Sequence, residues 1–293
     1  MQTTLGRRCL ALVFCCLSTS IAACSPEVSR EDREPKIPLE IYEVRYESVI
    51  DSTSEGGASS SSRTRYGALE KVLGDRGEGI ELEFDLPDGA TPDDRLAQWQ
   101  FPARVMATPD GGLRLLNAPE VAERIQSLLD RQGLTREACG RTYFTWAAFT
   151  VECDPGSVLE HLAPFSRPRL EEGAAFREQG ALAPAPLVLA ARDADGETWV
   201  AEMALDAEYE RRQRAQIDAT VAELSGKQKT LEAALKEWQD RRVAGTIITT
   251  FLRDPSGQVV SRTKVTRVET VDDDGKREVQ TKTETTTRDR MWP

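Results

Sequence analysis

Few residues in this 293-residue chain are of a type that does chemistry, and they are scattered. His161 is the single imidazole, which excludes His-rich metal sites and paired-histidine chemistry. It falls on the last turn of a short helix expected after Asp154-Pro155, where the helix C-terminus favours a cation. As a general base it would need a nucleophile within hydrogen-bond reach, and no G-x-S-x-G elbow occurs in the sequence. A surface histidine is the better reading. Glu81, Glu83 and Asp85 alternate along one expected strand, so their carboxylates share a face that could touch Ca²⁺ weakly or form a solvated sheet surface. Asp193-Ala-Asp-Gly196 and Asp272-Asp-Asp-Gly275 have the composition of acidic calcium loops. They lack the D-x-[DN]-x-[DN]-G spacing and the distal glutamate, and read instead as hairpin turns. These clusters assemble no acid–base constellation, so no catalytic residue, metal ligand or cofactor is assigned, and a hydrolase is the weakest of the functional readings.

The cysteines say more. Of six, Cys9, Cys15, Cys16 and Cys24 fall in the first 24 residues, behind Arg7-Arg8, with Cys15 and Cys16 inside the apolar run Leu10 to Leu17. A basic pair, a short apolar run and small residues make a secretory signal peptide. A membrane-spanning helix needs about 17–25 apolar residues, more than this run supplies. Its end, Ile21-Ala22-Ala23-Cys24, resembles the lipobox of bacterial lipoproteins. The resemblance covers only the signal region. It implies diacylglyceryl transfer to the Cys24 sulfur, cleavage after Ala23 and acylation of the new amino group, hence anchoring to a membrane through acyl chains on Cys24. With Ser25 next, and not aspartate, it further implies a bacterial envelope location at the outer membrane, facing the periplasm.

Composition agrees with a folded, exported protein. Hydrophobic residues make up 39% and charged residues 30%, against 38 Lys+Arg and 49 Asp+Glu, a net charge of -11. That balance opposes a nucleic-acid partner. Cleavage after residue 23 removes two arginines and no acid, leaving 36 basic and 49 acidic residues and a charge of -13. Anionic phospholipid then repels the chain, and the lipid must do the anchoring. Cys139 and Cys153, the two cysteines beyond the signal region, should form a disulfide in an oxidising compartment. Two buried thiols are the competing reading, because one straight strand would hold the pair apart unless residues 139–142 turn back.

The elements that would position these residues follow from periodicity. Residues 1–23 are the cleaved signal, 24–36 a charged, proline-containing tether, and 37–290 one globular domain with a seam at 164–186, rich in proline, glycine and alanine. Ile37 to Ile50 reads as a strand with a bulge where apolar parity shifts from Ile41 to Tyr42. Residues 51–62 read as a serine-rich loop, and Ile80 to Leu86 as a strand with one wet face carrying the three carboxylates. Trp99–Ala107 and Leu113–Leu116 form a hairpin, Asn117 caps a helix buried through Val121, Ile125, Leu128 and Leu129, and Arg141–Cys153 reads as a central strand. A helical pair near 206–243 is capped by Asp206 and Thr230, with inner stripes of Ile217, Val221 and Leu224 and of Leu231, Ala234, Leu235 and Trp238. Thr246 to Arg290 is a threonine-rich meander. If Asp274-Gly275 centres a type I′ turn, Val268 faces Thr281, and the long arms form an exposed meander with charged edges.

The fold class expected is α+β: an antiparallel sheet, curved into a half-barrel, with several short helices. By element order alone this distantly resembles the lipoprotein carriers and receptors of the bacterial envelope. Two functions remain beside the hydrolase: a non-enzymatic, lipid-anchored module that meets an envelope protein, and a carrier or receptor for an apolar, acyl-chain ligand.

Overall fold

Strand β1, Glu40–Ser54, buries Tyr42, Val44, Tyr46 and Ser48 at alternate positions, as the period of two requires of a sheet covered on one side. In the computed structural model, which describes residues 39–109, 111–144 and 148–291, β1 lies in the middle of a ten-stranded antiparallel sheet. The chain runs outward from it through β2 (Ser59–Asp75), β3 (Ile80–Asp85), helix α1 (Pro92–Ala97), β4 (Ala103–Ala107) and β5 (Leu113–Leu115), which forms one edge. It then crosses the sheet through α2 (Ala118–Gln132), the separate hairpin β6 (Thr142–Phe144) and β7 (Ala148–Thr150), α3 (Val158–Leu162), and a two-residue pairing of β8 (Ala175–Phe176) with β9 (Ala185–Pro186). From the other edge it returns through β10 (Val188–Asp193), β11 (Gly196–Ala204), α4 (Ala207–Leu224), α5 (Leu231–Gln239), β12 (Arg242–Arg253), β13 (Val259–Val271) and β14 (Arg277–Arg290). There β14 pairs with β1, from Tyr42 opposite Arg290 to Ser54 opposite Glu278. Two meanders from distant parts of the chain are thus joined by one long ladder, and the sheet stays open.

The registers place both apolar cores on the same, inner face. Over β1 to β4, Tyr42, Val44, Ala68, Leu82, Phe84 and Val105 pack with Val121, Ile125 and Leu129 of α2 and with Val158 and Leu162 of α3. Over β11 to β13, Trp199, Met203, Ile247, Phe251 and Val268 pack with Ala215 of α4 and with Ala234 and Trp238 of α5. Phe165 belongs to the first core and Leu170 to the second, so the covering chain passes from one core to the other between them.

Several expectations are corrected. β1 holds one register from Glu40 to Ser54 with no bulge, because Leu39 lies outside the strand and 71% exposed. The serine-rich stretch is strand up to Ser54 and again from Ser59, pairing on one side with its own hairpin partner and, through Ser52 and Thr53, with β14. Backbone pairing there outweighs the weak β propensity of serine. Arg141–Cys153 is not a central strand: Thr142–Phe144 pairs with Ala148–Thr150 in a hairpin of its own, outside the large sheet. Asn117 caps nothing with its side chain; Oδ1 accepts from Arg104 N and Nδ2 donates to Pro102 O, tying α2 to β4. On α4 the buried residues are Ala215 and Ala222, whereas Ile217 and Val221 are 60% and 55% exposed. Small side chains let that helix approach the sheet closely. The second helix ends at Gln239, four residues before the expected limit, where β12 begins at Arg242.

The C-terminal hairpin is also corrected. Val268 faces Gln280, and Arg277 faces Val271, so the register differs by one residue from the expected one. Asp272 N donates to Lys276 O at 3.1 Å, Gly275 N to Asp272 O at 3.0 Å, and Gly275 has φ +81°. The turn is therefore a type I turn followed by a left-handed glycine, and its three-residue loop moves every pairing by one. Asp254 to Gln258 makes the same turn, with Gly257 at φ +90°. The meander is not an exposed element either: β12, β13 and β14 are interior strands, because β14 finds β1 as a partner.

Candidate functional site

The residues nominated for chemistry do not meet. His161 is exposed on α3, and its backbone oxygen accepts from Tyr66 Oη at 3.2 Å. Glu81, Glu83 and Asp85 are not a wet row. Glu81 is 2% exposed and takes Arg76 at 2.9 Å and Arg104 at 2.6 Å; Lys71 lies between Glu83 and Asp85 at 2.9 and 3.3 Å, and Arg95 of α1 adds 2.9 Å to Asp85. Burial of Asp85 works against its ionisation, but these cations outweigh it and hold its carboxyl below the usual range. Asp193 caps its own turn, accepting from Asp195 N and Gly196 N, and Asp272 accepts from Lys276 N. Among the described residues no group of three or more His, Cys, Asp or Glu is placed to hold a metal. Cys24 and the signal region lie outside the described residues. Cys139 and Cys153 are joined, Cα to Cα 5.6 Å, because the pairing of β6 with β7 continues past Thr142 and Thr150, with Gly140 N donating to Val151 O at 2.8 Å, and lays the two ends side by side.

What the fold assembles is a buried ionic seam on the inner face, between the two cores. Arg288 of β14 lies opposite Val44 of β1, Glu70 of β2 lies opposite Tyr42 on the same face, and all four are nearly or fully buried. Arg288 Nε donates to both oxygens of Glu70 at 3.3 and 3.2 Å, its Nη1 reaches Val259 O at 3.3 Å, and its Nη2 bonds Phe165 O. Arg167, from the crossing chain, bonds Glu70 as well, reaches Gln258 at 3.1 Å and lies over the Tyr42 ring at 5.1 Å. Farther along, Glu178 of the same crossing chain accepts from Thr249 at 2.9 Å and Arg262 at 2.6 Å, with Lys264 at 3.6 Å. Lys264 continues to Glu284 at 3.8 Å, and Glu284 accepts from Tyr46 Oη at 2.6 Å and Lys282 at 2.9 Å.

The protonation states follow from this packing. Burial and then the contact with Glu40 push the Tyr42 hydroxyl up to about 12, and burial with Glu284 nearby does the same for Tyr66. Tyr46 rises further, through burial and its bond to Glu284. Glu284 sits below the ordinary carboxylate range: its burial opposes the charge, but the Tyr46 hydroxyl and both lysines prevail. The sequence signal for the seam was present but weak. Glu70 stands at a core-parity position between Ala68 and Val72, yet nothing local marks Arg262 or Arg288 as inward-facing among the threonines of β13 and β14.

The outer face is of a different kind. Along β11 to β2 it carries rows fixed by register: Val200, Thr250, Thr263, Thr285, Glu47 and Arg65 in one, and Glu202, Ile248, Val265, Thr283, Val49 and Arg63 in the next. None of these is buried. Beside them Gly67 floors a groove of about 550 Å³ walled by Glu43, Arg45, Glu47, Arg65, Thr285 and Thr287. Its charges are balanced, since Glu47 takes Arg63 and Arg65 while Arg45 meets Glu43 and Asp289.

No family model matches the chain, and no curated protein matches it. Among solved structures, one that describes lipid–protein interactions in lipovitellin is similar over 87% of this chain and 25% of that one, at 12% identity and a TM-score of 0.42. The chain thus spans about a quarter of lipovitellin's length. A conserved protein of unknown function with a hot dog fold from Alicyclobacillus acidocaldarius covers 89% of this chain and 83% of its own, at 12% identity and a TM-score of 0.11. At these TM-scores neither likeness identifies the fold, and function is argued from the molecule's own surfaces.

Proposed function

We propose that the chain is a lipid-anchored protein of the bacterial cell envelope, held at Cys24, whose folded part is a non-enzymatic interaction module. The observation that carries this reading is the outer face of the sheet. Helices α2 to α5 pack on the inner face, leaving rows of threonine, valine and isoleucine uncovered on the other. A broad surface with fixed side chains, semi-apolar at its centre and balanced in charge at its rim, suits a protein partner better than a charged small molecule. The acid and base side chains around it are engaged with one another, which supports binding over catalysis. A photo-reactive residue at Val265 or Thr283 should cross-link an envelope protein in cells, and one at Lys236 on α5 should not. Cross-linking from Lys236 alone would overturn this use of the face. The anchor has its own test: Cys24→Ala should abolish incorporation of labelled palmitate and release the protein from membranes.

The second reading, a carrier or receptor for an acyl-chain ligand within a curved half-barrel, is favoured by one feature, the division of the covered face into two cores with a strap of chain between them. Native mass spectrometry of the protein extracted from envelope would show the mass of a lipid in addition to its own anchor.

A further inference from the structure

The strap, residues 166–181, crosses the sheet at the seam, and positive charge is in excess beneath it. Among the described residues four cations there have side chains no more than 15% exposed, Arg167, Arg262, Lys264 and Arg288, and they meet three carboxylates, Glu70, Glu178 and Glu284. Three of the four are guanidiniums held close together. Arg167 and Arg288 donate to the same oxygen of Glu70, and Arg262 stands opposite Thr286, two residues from Arg288 on the same face of β14. Their donors are not used up. Arg167 Nε and Arg262 Nε are both buried, and no acceptor within the described residues meets either one. A buried N–H without an acceptor is rare, and each such group calls for a physical reason.

We propose that Arg167, Arg262 and Arg288 form a binding site for an oxyanion, a carboxylate or phosphate group, supplied by the head of an amphiphile or by the free ion. Planar guanidinium forks match the two oxygens of such a group, and the low dielectric of a buried site strengthens each charge-assisted bond. Burial lowers the Arg288 pKa, Glu70 opposes that shift, and the nearness of Arg167 and Arg262 adds to it, so an added negative charge relieves repulsion among the three arginines. The site also lies where an acyl tail would find apolar walls on either side, from Phe165 and Tyr42 in one core to Leu170 in the other.

Calorimetric titration of the full chain in a non-ionic detergent, with inorganic phosphate, acetate and octanoate in turn, tests this. Saturable binding of at least one is expected, weakened about tenfold or more in Arg167→Gln and in Arg262→Gln, as loss of a charge-assisted bond predicts. Arg65→Gln on the outer face should leave it unchanged. Octanoate binding well above acetate assigns the site to an amphiphile head; phosphate or acetate binding at least as well assigns it to the free ion. If the arginine variants do not fold, the wild type decides: at least one of the three anions at constant ionic strength must raise the unfolding midpoint saturably, and chloride must not match it. Absence of binding by all three anions, or folded variants that bind like the wild type, overturns the site.

Discussion

Arg288 and Arg45 lie on the neighbouring strands β14 and β1 but on opposite faces of the sheet, and both are paired with glutamate. Arg288 is 2% exposed and compensates a fully buried Glu70, whereas Arg45 is 57% exposed beside Glu43. Removing one member of a buried pair leaves the other charge in low dielectric, at a cost of about 3–5 kcal/mol, while an exposed pair contributes about 0–1 kcal/mol. Arg288→Ala should therefore lower the urea midpoint by several times as much as Arg45→Ala. The tyrosines make a second residue-scale prediction. A folded-state pKa raised above the unfolded value of about 10 gives a stability contribution that is complete below that pH and is lost as pH rises toward the folded value. With Tyr42 and Tyr66 at about 12, alkaline unfolding should begin above about pH 10 and coincide with the appearance of tyrosinate absorbance. Tyrosinate forming well before the loss of secondary structure would contradict the burial of these hydroxyls.

At the scale of elements, the turns and helix α4 show which local rules held. Gly275 and Gly257 occupy left-handed positions after type I turns, a conformation that costs an ordinary L residue about 1–2 kcal/mol. Gly275→Val should lower stability by about that amount or more, because a β-branched residue is worse there than most. The composition Asp-Asp-Asp-Gly made the hairpin legible, but two turn types accommodate those residues, and they differ by one residue in register. Helix α4 was legible in extent and cap: Asp206 accepts from Glu208 N and Tyr209 N. Its orientation was not. A helix of mixed polarity offers two candidate stripes, and side-chain size favours the larger apolar one, although alanine permits the closer approach to the sheet. Val221→Ser should change stability by no more than about 0.5 kcal/mol, whereas Ala215→Leu should overpack the second core and cost about 1–3 kcal/mol, both read from denaturant midpoints.

For the whole molecule, the two cores share one sheet, and β14 with β1 is the ladder between them. Trp99 lies in the first core, Trp199 and Trp238 in the second, each largely buried. Variants in which only Trp99 or only Trp238 remains should report the same urea midpoint, since opening either core exposes the ionic seam that both border. Separate midpoints would mean that the ladder does not couple them.

By itself the sequence determined what short-range chemistry can specify: the strand and helix positions wherever the apolar period was clean, the helix caps Asp206 and Thr230, the spans of the two last turns, and the lipobox resemblance at Cys24. Alternation from Tyr42 to Tyr46 or from Leu82 to Leu86 is a property of neighbours, so it survives without a fold. Only the tertiary structure decided which strands are interior, which face of α4 is buried and where the charges go. Those depend on pairing between residues far apart in the chain. β14 reads as an exposed arm until β1 lies beside it, and Glu70 is a lone carboxylate at core parity until Arg167 and Arg288 close over it. The seam between the cores is for that reason only faintly marked in any local window, because its charges come from β2, β13, β14 and the strap and meet only when the two meanders join.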